Sequence, residues 1–111
     1  MPAAPFQIRS ETHGDNGRLW LAGELDIASA PRLQEAAESM LARRVSRVAI
    51  DLSELAFIDS SGLRLLIDLH DRAGADGWSL ALVNPSEPTR AVFEITGAEE
   101  NLPVVEEPPG R

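Results

Sequence analysis

Asp59, Ser60 and Ser61 stand in immediate succession, followed by Gly62 and an apolar stretch that opens at Leu63. Three chemistries could use such a cluster: attack by a serine nucleophile, metal binding with nearby carboxylates, or acceptance of a phosphoryl group by a serine hydroxyl. A serine nucleophile needs a base within hydrogen-bond reach and a third group to orient it. The chain has two histidines and no lysine. His13 falls in a predicted turn. His70 lies nine residues beyond Ser61 on one predicted helix, roughly 13–14 Å away at ~1.5 Å per residue, and is read as a packing or solvent-bonded side chain. Neither Ser60 nor Ser61 has the glycine two residues earlier that a nucleophile elbow requires, so no catalytic serine is expected. Asp26, Asp51 and Asp59 could converge at strand ends in a way that suits magnesium. Isolated acids at strand ends more commonly cap or face solvent, and no metal site is expected. A glycine-rich phosphate cradle is missing too, since Gly62 stands alone, and no cofactor is implied.

Phosphoryl acceptance fits better. The run Asp51-Leu52-Ser53-Glu54-Leu55-Ala56-Phe57-Ile58-Asp59-Ser60-Ser61-Gly62-Leu63 reads as a strand ending near Leu52, a polar turn, and then a helix. Ser61 is thereby placed at a helix N-terminus, where unpaired N–H groups and the helix dipole favour negative charge. Helix capping alone also accounts for a polar residue here, but capping needs one such residue and three precede the glycine. A glycine adds nothing to a helix's first turn, and its missing side chain would let a partner or a kinase approach Ser61 closely.

The elements that must position this segment can be read from periodicity. Phe6 to Ser10 and Arg18 to Gly23 are short strands, and Asn16-Gly17 supplies the tight reversal of a hairpin. A helix follows Gly23-Glu24-Leu25-Asp26, with Ser29 as N-cap and Pro31 in the first turn. Its apolar stripe is Leu33, Ala36, Ala37, Met40 and Leu41, and Arg43-Arg44 sits at its end. Val45 to Leu52 is a central strand. The second helix spans about Ser61 to Ala73, with Leu63, Leu66 and Ile67 inward, and is broken by Gly74 and Gly77. Trp78 to Val83 is a strand and Pro88 to Thr96 a helix closed by Gly97. Leu102 to Val105 adds a last short strand or packs down, and Glu106 to Arg111 reads as a frayed tail. Strand–helix–strand units joined by right-handed crossovers make neighbours parallel. The expected architecture is therefore a single α/β domain with a mixed sheet of four to five strands, an N-terminal antiparallel hairpin and helices packed on the sheet.

Composition narrows the partners. The 111 residues, 43% of them hydrophobic, suffice for one core. Eighteen acidic against ten basic residues give a net charge of −8, a surface that disfavours nucleic acid and anionic membranes. Cysteine is absent, which removes disulfide and thiolate chemistry. Met1-Pro2-Ala3-Ala4-Pro5 has no leader character, and no window approaches the roughly 18–20 apolar residues of a membrane helix. The cytoplasm is the expected compartment.

The segment Val48 to Gly74, with Gly23-Glu24-Leu25-Asp26 and Leu82-Val83-Asn84-Pro85, resembles the STAS domain family, and within it the bacterial anti-sigma factor antagonists. The long D-L-S-x-L-x-F-x-D-S-S-G-L pattern from Asp51 to Leu63 is the specific part. The resemblance extends from about Phe6 to Val105. It implies that Ser61 is the phosphoacceptor and that Asp26, Asp59, Ser60 and Gly62 belong to the surrounding partner surface. It further implies an anti-sigma factor with ATP-dependent serine kinase activity as partner, and a phosphoserine phosphatase that resets the switch. The same fold also serves as a constitutive adaptor or scaffold subunit, which would be indifferent to that serine.

Overall fold

The computed structural model describes residues 5–108; the leader reading of residues 1–4 and the end of the tail at 109–111 lie outside them. The chain runs β1 (Gln7–His13), β2 (Asn16–Leu25), α1 (Ala30–Ala42), β3 (Arg47–Ile58), α2 (Ser60–Asp76), β4 (Ser79–Val83), α3 (Glu87–Thr96), a single tight turn of helix over Ala98–Glu100, and β5 (Val104–Val105). The strands form one sheet in the order β1-β2-β3-β4-β5. β1 and β2 are antiparallel and every later pair is parallel, as the element order requires. Strands that advance in one direction through right-handed crossovers carry all three helices to one face. Leu19, Leu21, Val48, Ile50, Leu52, Leu80 and Leu82 point to that face and pack with Leu33, Met40, Leu66, Leu69 and Phe93.

The hairpin reverses at Gly14-Asp15, not at Asn16-Gly17, because Asn16 already pairs with His13. Gly14 takes φ 61°, the left-handed value that the first central residue of a two-residue hairpin loop needs. Gly17 instead faces the core, where a Cβ would lie 2.6 Å from Met40 Sδ.

β3 continues six residues past Leu52, through the stretch read as a polar turn. Two register shifts against β2, between Trp20 and Ala22 and between Gly23 and Glu24, each insert an extra β3 residue. Bulges of this kind reset which face a side chain takes. They return Leu55 and Ile58 to the core at a spacing of three, where an unbroken strand would alternate by two.

Gly74 does not break α2; it lies within the helix, and Gly77 at φ 82° closes it. Ser29 makes no capping bond for α1. The tail is held as far as the described residues extend: Glu107 pairs with Arg18, Glu106 pairs with Arg90, and the Glu107 amide donates to Asn84 Oδ1 at 2.7 Å.

Candidate functional site

The candidate site lies where β2 and β3 end together. Leu25 pairs with Ile58, and the Asp59 amide donates to the Leu25 carbonyl at 3.1 Å, fixing the start of α2 against the end of β2. Asp59 is extended and its Oδ1 accepts from the Gly62 amide at 3.0 Å, while the Leu63 amide donates to the Asp59 carbonyl. One residue therefore supplies the whole cap. The amides of Ser60 and Ser61 remain the free donors of the first turn, and neither serine hydroxyl has a hydrogen-bond partner among the described residues. Ser60 is exposed and Ser61 half-buried. Such an end can accept a phosphate on Ser61 with local compensation by N–H groups. Asp59→Ala is expected to lower stability by about 1 kcal/mol, the usual loss for an N-cap; urea unfolding that shows no change would remove Asp59 from this role.

Asp26 arrives at the same end of the sheet, one residue beyond Leu25. Its Oδ1 accepts from the amides of Ala28 and Ser29, at 3.0 and 3.1 Å. Ser29 Oγ in turn accepts from the Asp26 amide at 2.9 Å and donates to the Glu24 carbonyl at 2.7 Å, so the two side chains together organise the turn into α1. Gly62 is buried. A Cβ there would stand 2.7 Å from the Leu25 carbonyl oxygen and 2.8 Å from Leu25 Cγ, so its missing side chain admits the chain's own β2 rather than an incoming protein.

Two apolar side chains that the pattern did not single out border this end. Ile27, next to Asp26, is 77% exposed, and Phe57, two residues before Asp59, is 46% exposed. Phe57 pairs with Glu24 on the face away from the helices, and the i, i+3 spacing of Leu55 and Ile58 is the signal that would have placed it there.

Asp51 is separate from this site. It lies on the helix-free face of β3, is 7% exposed, and bonds Arg18 Nη2 at 2.9 Å, the Ser53 amide at 3.0 Å and Ser53 Oγ at 2.6 Å. It therefore holds the first bulge closed. No group of acids and histidines able to hold a metal occurs among the described residues. Burial pushes the Asp51 carboxyl up, but the two bonds from Ser53 and the Arg18 guanidinium together hold it below its ordinary value. A carboxyl depressed in the folded state stabilises the fold above its unfolded pKa near 3.8 and loses that contribution as pH falls through the folded value. Stability is expected to decline on acidification below that range, with a shallower decline for Asp51→Asn in urea midpoints followed against pH. Equal acid slopes for the two proteins would exclude Asp51 as a contributor.

Comparison with known proteins identifies the family and the fold. The chain matches the family described as "Mlab, STAS domain" over residues 8–106, and it belongs to the STAS domain family. An anti-sigma-B factor antagonist of Bacillus subtilis (strain 168) is 33% identical over 84 residues, covering 76% of each chain. One from Staphylococcus epidermidis is 28% identical over 101 residues, 91% of this chain and 94% of the relative. Among solved structures, an anti-sigma factor antagonist from Mycobacterium paratuberculosis superposes with a TM-score of 0.78 at 26% identity, over 90% of this chain and 85% of that one. Unphosphorylated SpoIIAA, an anti-sigma factor antagonist, gives 0.75 at 23% identity over 95% and 90%, and shows the shared fold.

Proposed function

We propose that this chain is an anti-sigma factor antagonist: a regulatory protein, not an enzyme, that binds an anti-sigma factor while Ser61 is unphosphorylated and releases it when Ser61 carries a phosphate. The observation that carries this reading is the division of labour at the start of α2. Asp59 completes the cap, so Ser60 and Ser61 are free for another purpose. The relatives named above support the antagonist role. The phosphate donor is ATP, transferred by a partner that combines anti-sigma and serine kinase activities, and a phosphoserine phosphatase restores the binding form. Asp26, Asp59 and Ser60 frame the contact, and the exposed Ile27 and Phe57 give it apolar anchors of the kind that dominate interface energetics. No described helix is long and apolar enough to cross a membrane, and the switch operates in the cytoplasm.

The test is intact-mass spectrometry after incubation with the candidate kinase and ATP. Wild type and Ser60→Ala are expected to gain one phosphate, and Ser61→Ala none. A protein that stays unmodified yet keeps a stable complex would instead be a constitutive adaptor.

A further inference from the structure

The helix-free face of the sheet is built in rows that follow the strand register. One row is Glu11–Arg18–Ala49–Ala81, crossing β1 to β4. On one side of it Trp20 stands beside Asp51, and on the other Arg47 stands beside Ser79. Solvent-facing positions of an open sheet normally carry polar or bulky side chains. Here two adjacent central strands place only methyl groups, Ala49 and Ala81, between larger neighbours. The result is a hollow of about 410 Å³ with an alanine floor and an indole wall, within the ~300–1,000 Å³ of small-ligand sites. Among the described residues the tail reaches the neighbouring part of this face through Glu107 and does not line the hollow.

Charge at the hollow is unusual for so acidic a chain. Arg18 lines the hollow 5.4 Å from the Trp20 ring centre and Arg47 closes the opposite rim, while Arg9 packs on the same ring at 4.2 Å from outside the hollow. Arg18 already holds two carboxylates. Asp51 is nearly buried and locked by Ser53. Glu107 comes from the tail and meets the guanidinium through Nη2 at 3.1 Å and Nη1 at 3.4 Å, as a two-pronged pair. Its side chain is 41% exposed, so it is the carboxylate that can leave.

We propose that this hollow binds a small aromatic monocarboxylate, its ring lying on Ala49 and Ala81 against Trp20 and its carboxylate taking the place of Glu107 on Arg18. The exchange leaves the local charge unchanged. A polyphosphate would not fit the same balance, because Arg18 is shared with Asp51, Arg47 is paired with Asp15, and Glu11 stands on the rim. Added negative charge there meets fixed acids rather than free cations.

The test is an amide and indole NMR titration of the full chain with indole-3-acetate, with uncharged 3-methylindole and ATP as parallel probes. Saturable shifts are expected at the Trp20 indole, Ala49, Ala81 and Glu107 with indole-3-acetate, and neither of the other probes should saturate. Glu107→Gln removes the competing carboxylate and is expected to tighten binding about two- to five-fold, the scale of an exposed ion pair. Ala81→Leu fills the hollow and should abolish binding, while its spectrum away from β3 and β4 reports an intact fold. The proposal is overturned by the absence of saturable shifts at millimolar indole-3-acetate, by unchanged affinity in Glu107→Gln, by binding that survives Ala81→Leu, or by 3-methylindole or ATP binding as well as the acid.

Discussion

Ser61→Asp is expected to weaken the complex with the anti-sigma factor by ~10²-fold or more, while the circular dichroism spectrum and unfolding midpoint stay at wild-type values. The separation of the two effects follows from the geometry at the start of α2. The cap is made by Asp59 Oδ1 and the Gly62 amide, so a carboxylate at position 61 displaces no bond that the fold uses. The free amides of Ser60 and Ser61 and the helix dipole compensate the new charge locally. In a docked complex the same charge loses water and meets groups placed to face a neutral hydroxyl. An unpaired interfacial charge costs a few kcal/mol. A phosphate, at about −1.5 to −2 charge, would act in the same direction and further. Titration calorimetry against the partner, beside thermal unfolding of the free protein, separates the alternatives. Retained affinity would remove Ser61 from the interface. A large loss of stability would mean that Ser61 is instead a structural residue of the first turn.

No conformational change is needed for such a switch. The site stands on the ends of two parallel strands joined by the Asp59–Leu25 backbone bond. The exposed Ile27 and Phe57 lie on the same end, so in a complex seated on them the charge would enter beside apolar side chains that offer it no partner.

Much of this was legible in the residues. The order of elements followed from alternation, helical periodicity and Gly97 as a closing glycine, and the mixed sheet followed from the crossovers. The position of Ser61 near a helix start was likewise readable, because Asp59-Ser60-Ser61 ahead of an apolar-faced helix leaves few other placements. What was hidden depends on neighbours distant in sequence. β3 runs on to Ile58 because two bulges against β2 offset its pleat, and the resulting three-residue spacing of Leu52, Leu55 and Ile58 looks like neither a regular strand nor a regular helix. The hairpin turn moved to Gly14-Asp15 because Gly17 is consumed by packing against Met40, and nothing local to Asn16-Gly17 reveals that. The polar composition of the tail suggested fraying, yet Glu107 is held by Arg18, a contact spanning most of the chain. Gly62 is the sharpest instance. Its isolation ahead of Leu63 marked it as unusual, but only the fold shows that the unusual demand comes from Leu25.

That demand can be measured by comparing two glycines of one helix. Gly62→Ala is expected to destabilise the protein by about 1–3 kcal/mol, the usual range for overpacking, whereas Gly74→Ala is expected to stabilise it by roughly 0.5–1 kcal/mol. Both changes relieve the entropic disadvantage of a helical glycine, so they would have the same sign if helix propensity alone decided. The surroundings differ. A Cβ at Gly74 meets nothing within 4 Å, but at Gly62 it falls 2.7 Å from a backbone oxygen and 3.0 Å from Ile58 Cγ1. The Leu25 carbonyl is tied to the Asp59 amide and cannot turn aside as a flexible side chain would. To make room, the start of α2 must lift from β2, stretching that bond and carrying the Asp59 cap and Ser61 with it. Gly62→Ala should therefore also slow phosphorylation of Ser61, and Gly74→Ala should not. Urea unfolding of the two variants decides the matter: if Gly62→Ala were as stable as wild type, the close approach of α2 to Leu25 would not be what requires a glycine there.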